Sequence, residues 1–158
     1  LDVSRAAYDI GRLVGYPQMS VLGMVAQFSA CLCALNAGGG YPMSLVCTAA
    51  GLLIASAGER LQSEVLAALV SLFDDIVSRA ARDLGMTHID ELSLADTISG
   101  HIVVRPLPGA ASLRLFLVVH VPPHRTWRRR TSTAPRQLAS MLRPLLTAAA
   151  SPPGIESS

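Results

Sequence analysis

Apolar residues recur every three or four positions between Leu61 and Leu84, in a stretch without proline or glycine. This spacing predicts the longest helix of the chain, because it aligns side chains along a 3.6-residue turn. Gly85 follows directly and is typical of a left-handed helix end. The apolar residues form two neighbouring rows, the first of Leu61, Val65, Leu69, Leu72, Ile76, Ala80 and Leu84 and the second of Leu66, Val70, Phe73, Val77 and Ala81. Two rows are more than one packing surface needs, so we expect the helix to lie between a sheet and a second surface, with the first row covering the sheet.

The rest of the chain alternates helical and strand patterns around this helix. Helical patterns run over 20–35 and over 134–150, where Thr133 is expected to cap the helix and Pro135 to lie in its first turn. Alternating or β-branched runs predict five strands, at 43–48, 52–55, 91–95, 101–107 and 113–121. The order α-β-β-α-β-β-β-α predicts an α+β fold with a five-stranded antiparallel sheet and helices on both faces.

Breaks in the sequence pattern divide the chain into three parts. Residues 1–17 carry a short helical pattern that a Gly-Tyr-Pro sequence ends, and we expect an N-terminal helical arm there. Residues 18–150 are expected to form the single domain. Residues 151–158, SPPGIESS, are expected to be a disordered tail.

Composition narrows the class of protein. Of 158 residues, 51% are apolar, and the net charge of +2 is too small for a surface that binds polyanions everywhere. Cys31, Cys33 and Cys47 form an odd set without a disulfide framework, so a reducing cytosol is expected. No charged residue occurs between Arg12 and Glu59. The best apolar window there is short and interrupted by polar residues, which favours a buried helix over a membrane hairpin.

Candidate catalytic and metal-binding residues are sparse. The four histidines are scattered, and Asp74 and Asp75 are neighbours that point about 100° apart on a helix. There is no G-x-S-x-G elbow, and the Gly-Gly-Gly sequence at 38–40 lacks the G-K-[ST] of a phosphate loop. We therefore predict a non-enzymatic protein without catalytic residues, metal or cofactor, in which the two carboxylates belong to a solvated helix face.

Four arginines and a tryptophan stand together before the last predicted helix. They are Arg125, Trp127, Arg128, Arg129 and Arg130, in a segment expected to be a loop. The residues alone leave two interpretations open. The segment is either a solvated basic linker or a contact site for phosphate, an acidic partner or nucleic acid, with the tryptophan stacking on the ligand.

Three stretches in this order resemble the roadblock/dynein light chain family. They are SLVCTAAGLLIASAG at 44–58, the long helix at 61–84, and IVVRPL at 102–107 followed by the apolar strand at 113–121. The resemblance covers roughly residues 20–149, and the chain departs from the family at 1–17 and in the inserted segment HRTWRRRTST. It implies the profilin-like roadblock architecture, and these motifs contain no catalytic signature.

The resemblance also implies a function. Members of the family are small dimeric adaptors that bind Ras-like small GTPases, as in bacterial cell polarity systems where they act as activating proteins, or serve as motor light chains. The chain is then expected to pair with itself or with another roadblock-like chain through the second row, Leu66, Val70, Phe73, Val77 and Ala81. GTPase regulation in the cytoplasm is the expected function. The alternatives are a light-chain scaffold and a polyanion-binding module through 125–130; for an adaptor, nucleic acid and direct membrane contact are not expected.

Overall fold

The computed structural model describes residues 18–108 and 114–149, which form three helices and five strands. The helices are α1 (Gln18–Gly39), α2 (Arg60–Leu84) and α3 (Arg128–Ala149), and the strands are β1 (Met43–Thr48), β2 (Leu53–Gly58), β3 (Leu92–Asp96), β4 (Gly100–Pro106) and β5 (Leu115–Val121). Their order is the predicted α-β-β-α-β-β-β-α. The expected arm at 1–17 and tail at 151–158 lie outside the described residues.

The five strands form one antiparallel sheet in the order β2-β1-β5-β4-β3. β1 pairs with β2 and β3 pairs with β4 as neighbours along the chain, and β5 enters between these two hairpins. Its apolar, β-branched sequence suits this central position. The predicted antiparallel sheet is therefore confirmed, with β2 and β3 as its edges.

Helices cover both faces of the sheet. Along β5, Leu115, Leu117 and Val119 face the core that α1 and α3 complete, whereas Phe116 and Val118 face α2. This alternation follows from the two-residue period of a strand. The result is a three-layer domain with helices on both faces, as the sequence predicted.

The long helix turns its second row, not its first, toward the sheet. Val70 is 0% exposed and Phe73 is 8% exposed, and both belong to the core beneath α2. The prediction that the first row covers the sheet was therefore wrong. The same face carries the small side chain of Ala67, which is 1% exposed, and the β1–β2 turn passes close to the helix there, since a Cβ on Gly51 would lie 2.9 Å from the Ala67 carbonyl oxygen. The helix approaches the sheet on the face where its side chain is small.

The last helix begins earlier than the sequence predicted. α3 starts at Arg128, so residues 128–130 of the segment expected to be a loop form its first turn, whereas residues 125–127 precede the helix, and Thr133 is not a cap. The N–H of Thr131 donates to the Trp127 carbonyl at 2.9 Å, which closes the first turn. Pro135 lies in the eighth position of α3 and not in its first turn.

One described helix, α1, is long and apolar enough to cross a membrane by length and composition. In the fold it packs on the sheet and buries Val21, Val25, Phe28 and Leu32 in the core with α3. The face toward the sheet is buried, and about a third of the apolar segment lies inside the protein.

Candidate interaction surfaces

A row of apolar side chains lies exposed along α2. Val65 is 59% exposed, Leu72 60% and Ile76 50%, and Leu69 between them is 39% exposed. We call these four residues the α2 strip. They are the middle of the row expected to cover the sheet, and burial of the second row leaves them in solvent. Contiguous exposed apolar rows mark association surfaces more often than isolated apolar residues do.

Strand β3 adds a second apolar element on the same side of the sheet. Leu92 packs against the core under α2, so Leu94, two residues later, lies on that face as well, and it is 53% exposed. α2 packs over β1, β2 and β5. The outer edge of β3 has no partner strand within the described residues, and such an edge offers backbone N–H and C=O groups for pairing.

The residues predicted for the dimer interface are thereby divided. Val70 and Phe73 are buried in the core and are not available to a partner, which corrects that part of the prediction. Leu66 and Val77 are half-buried, and Ala81 is exposed in the last turns of α2.

A second group of residues surrounds the start of α3. At its centre is Arg105 of β4, which is only 7% exposed. Its Nε donates to Thr131 Oγ1 at 3.1 Å, and its Nη2 donates to Glu91 Oε2. Trp127 Nε1 donates to the other oxygen of Glu91 at 3.3 Å. This network links the start of α3 to β4 and to the residue preceding β3. Hydrogen bonds therefore hold the arginine-rich first turn of α3 against the sheet.

Trp127 has a structural role in this group. Its ring lies 4.4 Å from the His101 ring, centroid to centroid, and the Arg128 guanidinium carbon is 5.7 Å from its centroid. These contacts, with the bond to Glu91, leave little of the ring for stacking on a ligand. Within the fold, Trp127 therefore links the start of α3 to His101 of β4 and to Glu91.

The arginines themselves fall into two pairs. A Cβ on Gly38 would lie 2.7 Å from an Arg130 nitrogen, and one on Gly40 would lie 3.2 Å from the Arg125 guanidinium carbon, so both groups lie along the C-terminal end of α1. Carbonyl groups at a helix C-terminus attract cations. Arg128 and Arg129 are exposed. Among the described residues, no salt bridge involves any of these four arginines.

Side chains considered for catalysis or metal binding are dispersed. No group of three or more His, Cys, Asp or Glu residues that could hold a metal occurs in the described part of the chain. Asp74 pairs with Arg114 at 2.6 Å and Asp75 with Arg79 at 3.6 Å. His120 Nε2 lies 2.9 Å from the carbonyl oxygen of Ser99. Each of these side chains thus pairs with a different neighbour, and they do not converge on one point.

The three cysteines differ in exposure, and this gives a testable result. Burial raises the pKa of the Cys47 thiol to about 12 and also raises the pKa of Cys31, whereas Cys33 is exposed. At pH 8 only about one Cys47 in ten thousand is a thiolate, and its side chain is covered. We expect a thiol reagent to label one cysteine quickly in the native protein and three in denaturant. Peptide mapping after a short pulse should identify Cys33, and fast labelling of Cys47 would contradict this burial.

No protein-family model matches this sequence, and no curated protein is similar to it at a significant level. Solved structures match it over about three quarters of the chain. Myxococcus xanthus MglB superposes with a TM-score of 0.67 at 17% identity, over 77% of this chain and 91% of that chain. A Roadblock/LC7 domain from Streptomyces avermitilis does so with a TM-score of 0.61 at 16% identity, over 75% and 97%. The chain has a roadblock fold. A structure of MglB with a tetrameric arrangement matches with a TM-score of 0.66 at 15% identity, over 77% and 92%.

The roadblock fold was predicted from sequence motifs, but its two candidate surfaces were only partly predicted. The α2 strip was assigned to the sheet, and Leu94 and the Arg105 network were missed. A charged residue within the apolar strand IVVRPL was the available signal for the network, since a buried arginine requires partners. The arginine cluster was found, with a different backbone conformation.

Proposed function

We propose that this chain is a non-enzymatic, dimeric adaptor of the roadblock type that binds and regulates a Ras-like small GTPase. The observation that carries the proposal is the α2 strip on a roadblock fold, because it is an apolar surface that a monomer leaves in water. The MglB structure with a tetrameric arrangement supports self-association. The GTPase partner rests on the family resemblance.

The dimer that we propose joins the α2 strip of one protomer to that of its partner, with the outer edges of β3 nearby. Pairing two strips removes Val65, Leu69, Leu72 and Ile76 from water at once. Each fully buried aliphatic side chain contributes about 1.5–3 kcal/mol relative to exposure. Edge pairing of β3 would satisfy backbone groups and hide Leu94. A heterodimer with a related chain would use the same surface.

Regulation of a GTPase by this chain needs no catalytic residue of its own. A protein that binds one conformation of the GTPase switch loops shifts their equilibrium toward that conformation. If hydrolysis accelerates, the GTPase supplies the residues that orient water, and the adaptor orders them. The three free cysteines among the described residues agree with a cytoplasmic location, where thiols stay reduced.

A nucleotide-dependent capture experiment tests the partner. The immobilised chain is incubated with native lysate of its source organism, loaded either with a non-hydrolysable GTP analogue or with GDP. We expect a Ras-like GTPase, identified by mass spectrometry, to be enriched at least tenfold in one nucleotide state. The chain alone should retain no GTP or ATP through gel filtration, so any nucleotide recovered belongs to the captured protein.

A matched pair of variants controls the capture. Leu72→Asp alters the α2 strip, whereas Ser78→Asp adds the same carboxylate to the polar side of α2, where Ser78 is exposed. We expect the first to lose the GTPase and the second to keep it. If the chain is dimeric but captures no GTPase in either nucleotide state, the proposed GTPase partner is wrong and the proposed dimer is unaffected.

A further inference from the structure

The two faces of this domain carry different charge. From Thr97 to Ile155 the sequence has eight arginines and no aspartate or glutamate. Five of these arginines lie in α3, which has no acidic residue in its first turn. Two of the eight, Arg105 and Arg114, form ion pairs with Glu91 and with Asp74. α2, on the other side of the sheet, carries four acidic residues and three arginines. The net charge of +2 therefore conceals a basic face.

The position of the arginines is unfavourable for stability. Arg128 and Arg129 are exposed in the first turn of α3, where the helix dipole is positive and favours acidic side chains, whereas Arg130 also lies along the C-terminal end of α1. Their mutual repulsion adds to this effect. No carboxylate lies within salt-bridge distance of any of them among the described residues. A bound anion would reverse the sign of these interactions.

Hydrogen bonds to the sheet and to Tyr41 hold the start of α3 in place. Arg105 donates to Thr131, and Trp127 donates to Glu91, so the start of α3 is fixed to the sheet. Tyr41 adds a bond from its hydroxyl to the Thr126 carbonyl at 2.9 Å. A cleft of about 890 Å³ lies against this segment and is lined by four arginines with Thr126, Trp127 and Thr133. The four arginines thus line an open cleft, and hydrogen bonds attach the segment that carries them to the sheet and to Tyr41.

We propose that this cleft, lined by Arg125, Arg128, Arg129 and Arg130, binds clustered phosphate groups. Guanidinium groups donate paired hydrogen bonds to phosphate, and several groups can share one multiply charged anion. Trp127 also lines the cleft, but its ring already contacts His101 and Arg128, and its Nε1 donates to Glu91. This favours a ligand recognised by charge, such as an inositol polyphosphate or the phosphorylated inositol headgroup of a lipid.

The test compares two double variants of the full chain that lose the same charge. Arg128→Gln with Arg129→Gln alters the cleft. Arg79→Gln with Arg82→Gln alters exposed arginines of α2 that already pair with Asp75 and Asp83. Inositol hexakisphosphate is titrated by calorimetry, and vesicles of phosphatidylcholine with or without phosphatidylinositol 4,5-bisphosphate are sedimented with each protein.

We expect the cleft variant to bind about 25-fold more weakly, about fivefold for each arginine removed, and the α2 variant to bind as wild type does. Binding of both ligands assigns a general phosphate site, and binding of the vesicles alone assigns the lipid headgroup. The cleft variant should melt no lower than wild type, because two unfavourable cations leave a helix N-terminus.

Three results would overturn the proposal. They are the absence of binding to both ligands, equal weakening in the two double variants, and, when a DNA duplex is titrated in the same way, tighter binding to the duplex than to either phosphate ligand. The last would assign a nucleic-acid surface. None of these results depends on a GTPase, so the test stands apart from the function proposed above.

Discussion

Leu72→Asp is expected to convert the protein from a dimer into a folded monomer. The side chain of Leu72 is 60% exposed in the single chain, so the carboxylate stays in water there and the fold loses little. In the proposed dimer the same carboxylate is buried without a partner, at a cost of several kcal/mol. We therefore expect the dimer dissociation constant to rise by about a hundredfold or more. Sedimentation velocity over a concentration series measures it.

Two neighbouring substitutions make this result specific. Ser78→Asp places the carboxylate on the polar side of α2 and should leave the dimer unchanged. Phe73→Asp should unfold the domain, because Phe73 is 8% exposed and lies in the core between α2 and the sheet. A Leu72→Asp protein that sediments as an unchanged dimer would place the interface elsewhere. A Phe73→Asp protein that stays folded would show that the second row can face solvent.

Arg105→Met is expected to destabilise the domain by about 3 kcal/mol, because removing one partner of a buried ion pair leaves the other charge poorly solvated. The side chain of Arg105 is 9% exposed and that of Glu91 is 16% exposed. Thr131 also loses a donor. For a domain of this size, the melting temperature should fall by about 6–12 °C. Thermal and urea unfolding followed by circular dichroism measure the change.

The control for this variant is Arg114→Met. Arg114 and Asp74 form an ion pair whose side chains are 50% and 22% exposed, and such pairs contribute about 0–1 kcal/mol. We expect this substitution to change the melting temperature by only a few degrees. Equal losses in the two variants would mean that the Arg105 network carries no special weight. Glu91→Gln with Arg105→Met should recover part of the loss, since it removes the unpaired charge.

The sequence predicted the element order well because strong periodicities determine it locally. The long helix, its end at Gly85 and the apolar central strand each carry an unmistakable pattern, and Gly85 indeed has a φ of 69°. The orientation of the long helix was beyond reach, since both rows have helical spacing. That choice is made by packing between elements, which includes the close approach of the β1–β2 turn to the backbone at Ala67.

The start of α3 was mispredicted for a similar reason. A run of arginines after two prolines is typical of a linker, and no local cap marks a helix there. Thr131 and Arg105 are 26 residues apart, and their hydrogen bond helps to fix the helix start. Residue patterns identified the arginine cluster as a candidate site. Its backbone conformation and the hydrogen bonds around Arg105 depend on tertiary contacts that these patterns do not record.

The central place of β5 determines when this protein can fold. β1 ends at Thr48 and β5 ends at Val121, so the strand that joins the two hairpins leaves the ribosome after most of the domain. Until then the hairpins share no strand, and α2 has only part of its sheet to pack on. Long-range pairings of this kind slow folding and prolong exposure of apolar surface. The nascent chain therefore exposes part of the second row of α2 to chaperones until the last strand arrives.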